Sequence, residues 1–247
     1  MRRRQLLKSN KLKKWLAAPY AVWAVGFIII PLILILYYAL TGEEGGFTLS
    51  NFAYVATKEN IKALGLALWL SLLSTALCLL LAYPLAMILA NRNVNQTSFI
   101  VLIFILPMWM NFLLRTLAWQ TLLEKNGVIN SILSFFHLPG ISIINTPGAI
   151  ILGMVYNFLP FMVLPLYANL VKHDLSLLEA AADLGARSLT SFWKITVPLS
   201  RNGIIAGCML VFIPVVGEFV IPEMLGSPET LMIGKVLWQE FFNNRDW

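Results

Sequence analysis

The sequence predicts an all-α protein, a polytopic transmembrane helical bundle, and three observations carry that reading. First, 59% of its 247 residues are hydrophobic, only 12% are charged and the mean hydropathy is +0.77. Soluble domains carry about twice that charged fraction. Second, five apolar stretches are each long enough to cross a bilayer, for which a helix needs about 20 apolar residues. Third, seven of the eighteen Lys and Arg lie within the first fourteen residues, which is a topology signal rather than a nucleic-acid patch.

Residues 1–14 form the basic N-terminus, and the charge-free run from Trp15 to Gly42 follows. That run exceeds the apolar core of a signal peptide, about 7 to 15 residues. It reads as span 1, over residues 15–40, with a kink at Pro31. Gly42–Lys62 is a polar connection with Glu43, Glu44 and Glu59, and span 2 covers residues 63–90. A short turn at Asn91–Gln96 leads into span 3 over 97–122. The polar stretch Glu124–Thr146 carries two turn signals, Leu138-Pro139-Gly140 and Asn145-Thr146-Pro147-Gly148, before span 4 over 148–171. Residues 172–200 are polar again, span 5 covers 202–225, and Gly226–Trp247 holds a mildly amphipathic run from Leu231 to Phe242.

Counting Lys and Arg orients the bundle. With the N-terminus in the cytoplasm, the inner segments hold twelve: Arg2, Arg3, Arg4, Lys8, Lys11, Lys13, Lys14, Arg92, Lys172, Arg187, Lys194 and Arg201. The outer segments hold five, Lys58, Lys62, Lys125, Lys235 and Arg245. Positive charge gathers on the cytoplasmic side of membrane proteins, so residues 172–200 are expected there.

The chain offers little for an enzyme. Its one Gly-Lys pair, Gly234-Lys235, is followed by Val and makes no phosphate-binding loop. His137 and His173 are isolated, no metal-ligand spacing occurs, and Cys78 and Cys208 fall inside apolar spans as small packing side chains. Charges inside the spans are costly and therefore candidates for function. Glu218 lies about 22 Å from the cytoplasmic end of span 5 at 1.5 Å per residue, and Arg115 lies at a similar depth in span 3. Matching depth predicts an ion pair facing the bundle interior, with a structural salt bridge as the alternative role. Pro214, Gly217 and Pro222 bracket Glu218 and predict a broken helix. Trp109, Asn111, Tyr156 and Asn157 are further candidates for the lining of a path, with ordinary packing favoured over cation contact for the aromatics. Gly203 and Gly207 form a GxxxG pair, a weak signal of close helix contact.

The longest polar interval on the cytoplasmic side is EAAADLGARSLTSFWKITVP, from Glu179 to Pro198. Ser176, three residues before Glu179, predicts a capping box at a helix start. Gly185 is placed to end that helix in a left-handed conformation. Ser188 is expected to cap a second short helix running through Lys194, and Pro198 to stop it. The stretch resembles the EAA loop of ABC-transporter permeases: Glu179, Ala180, Ala181, Gly185, Ile195 and Pro198 are in register, with Val197 where the pattern has Leu. A bland amphipathic connector would share the capping signals but not this register.

The resemblance extends over nearly the whole chain to permease subunits of spermidine/putrescine importers. It rests on the stretches IKALGLALWLSLLST, ILPMWMNFLLRTLAW, NFLPFMVLPLY, GEFVIPEMLGSPETLMIG and FFNNRDW. It implies the type I importer fold, in a multi-pass protein of a bacterial inner or plasma membrane. A sixth span is expected beyond Trp247, so the sequence reads as ending before that span. Glu179, Ala180, Ala181, Gly185, Arg187, Ile195 and Pro198 would couple to an ATPase. The implied partners are a second permease subunit, two cytoplasmic ATP-binding subunits that hold ATP and Mg, and an extracellular or periplasmic solute-binding protein. No cofactor is expected in this chain. A polyamine is a polycation attracted by carboxylates and aromatic faces, and Glu218 and Glu223 fit that need. Ferric iron, thiamine and sulfate are alternative solutes on the same scaffold. An ion-coupled secondary transporter is the reading from another class, but neither inverted repeats nor an acidic relay is visible.

Overall fold

The computed structural model of the chain describes residues 18–42, 46–90, 106–174 and 176–244. These residues are helical almost throughout, and the one extended pairing among them is an isolated bridge between Thr41 and Phe47. In chain order the helices are α1 (Ala18–Ala39), α2 (Ser50–Val55), α3 (Lys58–Ala90), α4 (Phe112–Leu123), α5 (Val128–Phe135) and α6 (Pro147–Leu170). There follow α7 (Ser176–Asp183), α8 (Ser188–Leu199), α9 (Arg201–Val216), α10 (Val220–Leu225) and α11 (Ile233–Gln239). A further helical turn spans 106–109. The expected basic N-terminus, the turn at 91–96 and the first part of the expected span over 97–122 lie outside the described residues.

Two compact units are formed, Met1–Ile61 and Lys62–Trp247. In the first, α1 is 22 residues long, about 33 Å at 1.5 Å per residue, which suffices for a bilayer core of about 30 Å. A wide π-type turn at Val25–Ile29 precedes Pro31 and absorbs the amide that proline lacks. No residue of α1 is buried. Its last carbonyls are satisfied from the expected connection: Asn51 Nδ2 donates to Tyr38, Ala39 and Thr41 at 3.2 to 3.3 Å. Within that connection, residues 46–62 hold α2 and the first turn of α3.

The second unit is built around α6. One stripe of α3, from Ala67 and Leu70 through Ser74, Cys78 and Ala82 to Ala86 and Leu89, is buried. The opposite stripe exposes Leu64, Leu68, Trp69, Leu72 and Ile88. A helix apolar all round with only one face inside protein belongs in lipid. Ser74 Oγ reaches Met154 Sδ of α6 at 3.5 Å. On its other side α6 receives α9 at close range. A β-carbon at Gly203 would stand 2.8 Å from Asn169 Cβ and 3.1 Å from the Pro165 carbonyl oxygen, and one at Gly207 2.6 Å from Met162 Sδ. The GxxxG pair thus marks a real helix contact.

Pro198 does not stop a helix, and this corrects the expectation. A π-type turn at Phe192–Thr196, closed by the Val197 amide on the Phe192 carbonyl, lies just before it. Wide turn and proline together bend the run instead of ending it. The helix continues to Leu199, and α8 and α9 meet at Ser200 with a bend of 66°. Span 5, expected as one apolar stretch from 202 to 225, breaks between Val216 and Val220, as Pro214, Gly217 and Pro222 foretold.

Candidate functional site

The polar interval folds as two helices about a glycine. Asp174 starts the first: its Oδ1 accepts the Ser176 amide at 3.0 Å. Hydrogen bonds from the backbone and then the hydroxyl of Ser176 hold the Asp174 carboxyl below the usual aspartate range. The expected Ser176–Glu179 capping box is therefore replaced by an aspartate two residues upstream, with Ser176 already helical. At the other end Gly185 has φ +76°. Its amide donates to the Ala182 carbonyl at 2.9 Å and that of Ala186 to Ala181 at 2.9 Å. Those two bonds are a Schellman closure, and a residue with a β-carbon would be strained there. Ser188 does not cap α8 either. Arg187, extended at ψ 150°, occupies the cap position and Ser188 is the first helical residue.

Along this interval Glu179, Ala180, Gly185, Arg187 and Pro198 are exposed, Ile195 is half-buried and Ala181 is buried. Neither Glu179 nor Arg187 takes part in an ion pair among the described residues. Beside them Leu184, Leu189 and Trp193 stand 88%, 70% and 62% exposed. They are three large apolar side chains presented on an otherwise polar segment. The sequence reading missed all three, because an apolar residue on a short helix gives no sign of which way it faces.

The second group of candidates surrounds the break after α9. Glu218 Oε1 accepts the amides of Val220 at 2.8 Å and Ile221 at 3.3 Å, so it satisfies the free N-terminus of α10. Its expected ion pair with Arg115 does not form. The break creates unpaired amides within reach of Glu218, and its carboxylate is spent on them. Arg115 is 7% exposed, and its guanidinium leans over the Phe112 ring at 5.9 Å, with Nε and one terminal nitrogen lacking a partner. Glu223 instead meets Lys235, Nζ to Oε2 at 2.9 Å, with Lys235 buried and Glu223 half-exposed. In the sequence Lys235 reads as an outer charge beside Gly234, with no sign of a carboxylate partner. Asn111 caps α4 through Oδ1, accepting from Leu113 at 2.8 Å and Leu114 at 3.4 Å. Tyr156 packs edge-on against Trp119 with ring centroids 5.2 Å apart, Trp109 is exposed, and buried Asn157 donates to the Gly153 carbonyl at 2.9 Å. These residues do not converge on one enclosed site. A cleft does lie over α5, lined by Lys125, Asn130, Ser134, His137 and Ser142, of which the sequence marked only Lys125, as an outer charge, and His137, as an isolated histidine.

Residues 15–246 match the family described as the binding-protein-dependent transport system inner membrane component. The chain belongs to that family. The spermidine/putrescine transport system permease protein PotB of Haemophilus influenzae is 36% identical over 252 residues, covering 97% of this chain and 86% of that protein. PotB of Escherichia coli is 37% identical over 233 residues, 91% of this chain and 85% of its own. The inner membrane ABC transporter permease YdcU of Escherichia coli is 31% identical over 207 residues, 78% of this chain and 66% of its own. Among solved structures, a bacterial ABC transporter involved in alginate import matches with TM-score 0.74 at 18% identity, over 100% of this chain and 89% of that one. The chain is accordingly a multi-pass permease subunit of an ABC importer, and such subunits are neither enzymes nor cofactor carriers.

Proposed function

We propose that this permease carries spermidine and putrescine into the cytoplasm, driven by ATP hydrolysis in separate subunits. The observation that supports the coupling role is the EAA register folded as α7, a glycine closure and α8, with Leu184, Leu189 and Trp193 presented outward and α8 running on into α9. In this reading residues 172–200 are the cytoplasmic loop and the N-terminus is cytoplasmic. The five stretches 15–40, 63–90, 97–122, 148–171 and 202–225 span the membrane. Glu179 and Arg187 pair with the ATPase, the small side chains of Ala180, Ala181 and Gly185 permit close approach, and Ile195 and Pro198 carry the movement toward α9. One copy of this chain joins a related permease, two ATP-binding subunits that hold ATP and Mg, and a periplasmic solute-binding protein.

The polyamine reading rests on the spermidine/putrescine permeases that share 36–37% of residues across nearly the whole chain. Carboxylates and aromatic rings attract alkylammonium groups. Glu218 and half-exposed Glu223 supply the first, and Phe219 stacked on Trp238 at 6.0 Å supplies the second beside the same break. Trp109, Asn111, Arg115, Tyr156 and Asn157 contribute packing and caps around that path more than direct contact.

The test is uptake of labelled spermidine by cells lacking their own polyamine importer and expressing this chain with its three companion subunits. ATP-dependent uptake that disappears with Glu179→Arg is the expected result. ATP hydrolysis stimulated by another solute, with no spermidine uptake, discards the polyamine and keeps the permease. Failure to co-purify with any ATPase discards the coupling role of the loop.

A further inference from the structure

The bend between α8 and α9 is held from outside by a side chain of α3. Tyr83 is 8% exposed and Ser200, at the bend, is fully buried. Their hydroxyl oxygens are 2.7 Å apart, across 117 residues of sequence. Ser200 Oγ also donates to the Val197 carbonyl at 3.0 Å. A hydroxyl has one proton, so with that proton on Val197 the Tyr83 hydroxyl is the donor and Ser200 Oγ the acceptor. The Tyr83 ring meanwhile packs edge-on against Phe192 of α8, centroids 5.5 Å apart at 89°. Phe192 in turn touches exposed Trp193 at 5.1 Å. One tyrosine therefore grips α8 through its ring and the vertex of the bend through its hydroxyl.

The backbone at the bend keeps two bonds of its own, from the Ser200 amide to the Thr196 carbonyl at 2.9 Å and from the Ile204 amide to the Ser200 carbonyl at 3.0 Å, but neither fixes the bend from another helix. Pro198 offers no amide, and the wide turn at Phe192–Thr196 already departs from helical bonding. Among the described residues, Tyr83 supplies the one side-chain hydrogen bond that reaches the bend from another helix. Its own helix carries Pro84 at the next position, a second place where a main-chain bond is missing. Two locally weakened helices thus meet at a single polar contact in an apolar interior, where such a contact is specific in geometry.

We propose that Tyr83 is a positioning residue for coupling: its hydroxyl latches Ser200 and fixes the angle at which α8 enters α9, so that a push on Trp193 and its neighbours moves α9 and α3 together. This rests on the coupling-loop reading above and deepens it, because the Tyr83 latch lies outside the EAA register.

The test uses the assembled transporter in lipid nanodiscs. Spin labels at Thr190→Cys, outside the apolar trio of the loop, and Ile213→Cys, both exposed, read the bend across its two arms in a Cys208→Ala background without any solute. The expected result is one narrow distance distribution in the parent protein. Tyr83→Phe and Ser200→Ala each raise the population of other bends roughly 2- to 12-fold, the range one buried hydrogen bond supports, and the double variant adds nothing further. The same variants lower solute imported per ATP hydrolysed by a similar factor, with assembly unchanged. An unchanged distribution in Tyr83→Phe overturns the proposal, as do additive effects in the double variant. A changed bend with an unchanged transport-to-ATP ratio overturns the coupling role and leaves a structural bond. If Tyr83→Phe fails to assemble, Ser200→Ala reads the same quantities. Glu179→Arg separates the two layers: intact ATPase binding and transport in that variant refutes the loop reading, whatever the bend does.

Discussion

Replacing Gly203 with alanine tests the packing of α9 on α6 directly. The new methyl would sit 2.8 Å from Asn169 Cβ and 3.1 Å from the Pro165 carbonyl, neither of which is the far end of a flexible side chain. Overpacking of this kind costs about 1 to 3 kcal/mol. Against it stands the helix propensity that alanine gains over glycine, up to about 1 kcal/mol. Gly65, on the exposed face of α3, has nothing within 4 Å of a β-carbon, so Gly65→Ala shows the propensity gain without the clash. The difference between the two variants isolates the packing cost. At about 2 to 4 °C per kcal/mol for a chain of this size, the Gly203→Ala thermal midpoint should lie roughly 2 to 12 °C below that of Gly65→Ala. The measurement is the midpoint of loss of monodisperse complex on heating in detergent, followed by fluorescence-detected size exclusion. Gly207→Ala should fall between the two, because its nearest contact is the movable thioether of Met162. Equal midpoints for Gly203→Ala and Gly65→Ala, or a reversed order, would refute the close approach of α9 to α6.

Glu218→Gln should keep the fold, since an amide oxygen still accepts from Val220 and Ile221, whereas Glu218→Ala should lower the midpoint by about 1 to 8 °C through loss of the cap. If Glu218→Gln also leaves spermidine uptake at the parental rate, Glu218 is removed from the cation path. Arg115→Met replaces a buried guanidinium lacking partners at two nitrogens with an apolar chain of similar length, and should leave the midpoint unchanged or higher; a fall beyond about 4 °C would reveal a partner. Asp174 has a lowered folded pKa, so its contribution to α7 is complete above the ordinary aspartate value of about 3.9 and is lost as pH falls through the folded value. Amide exchange at Ser176, corrected for intrinsic rate, should differ between the parent and Asp174→Ala near neutral pH and converge in acid; a difference that persists in acid contradicts this.

Where local chemistry acts alone, the sequence was a good guide. Gly185 takes the left-handed closure expected of it, the Pro214–Pro222 region breaks as its composition implies, and the GxxxG pair lies in a helix contact. Matching depth failed for Arg115 and Glu218 for a reason the sequence nearly contained: the same break that was foreseen exposes amides, and a neighbouring carboxylate satisfies them before any distant cation. The bend at Ser200 was not readable, because a π-type turn before a proline has no compositional mark and turns an expected helix end into a corner. Nor was the exposure of Leu184, Leu189 and Trp193, which depends on where α7 and α8 sit rather than on what they contain.

The helix α1 shows no buried residue along its length and is apolar all round. A saturation scan should therefore show two grammars in one protein. Along α6, positions such as Met154, Met162 and Leu166 are enclosed on every side and will discriminate by volume. Along α1 the scan will discriminate by transfer energy alone, so that leucine, valine and phenylalanine exchange freely and only charge is rejected.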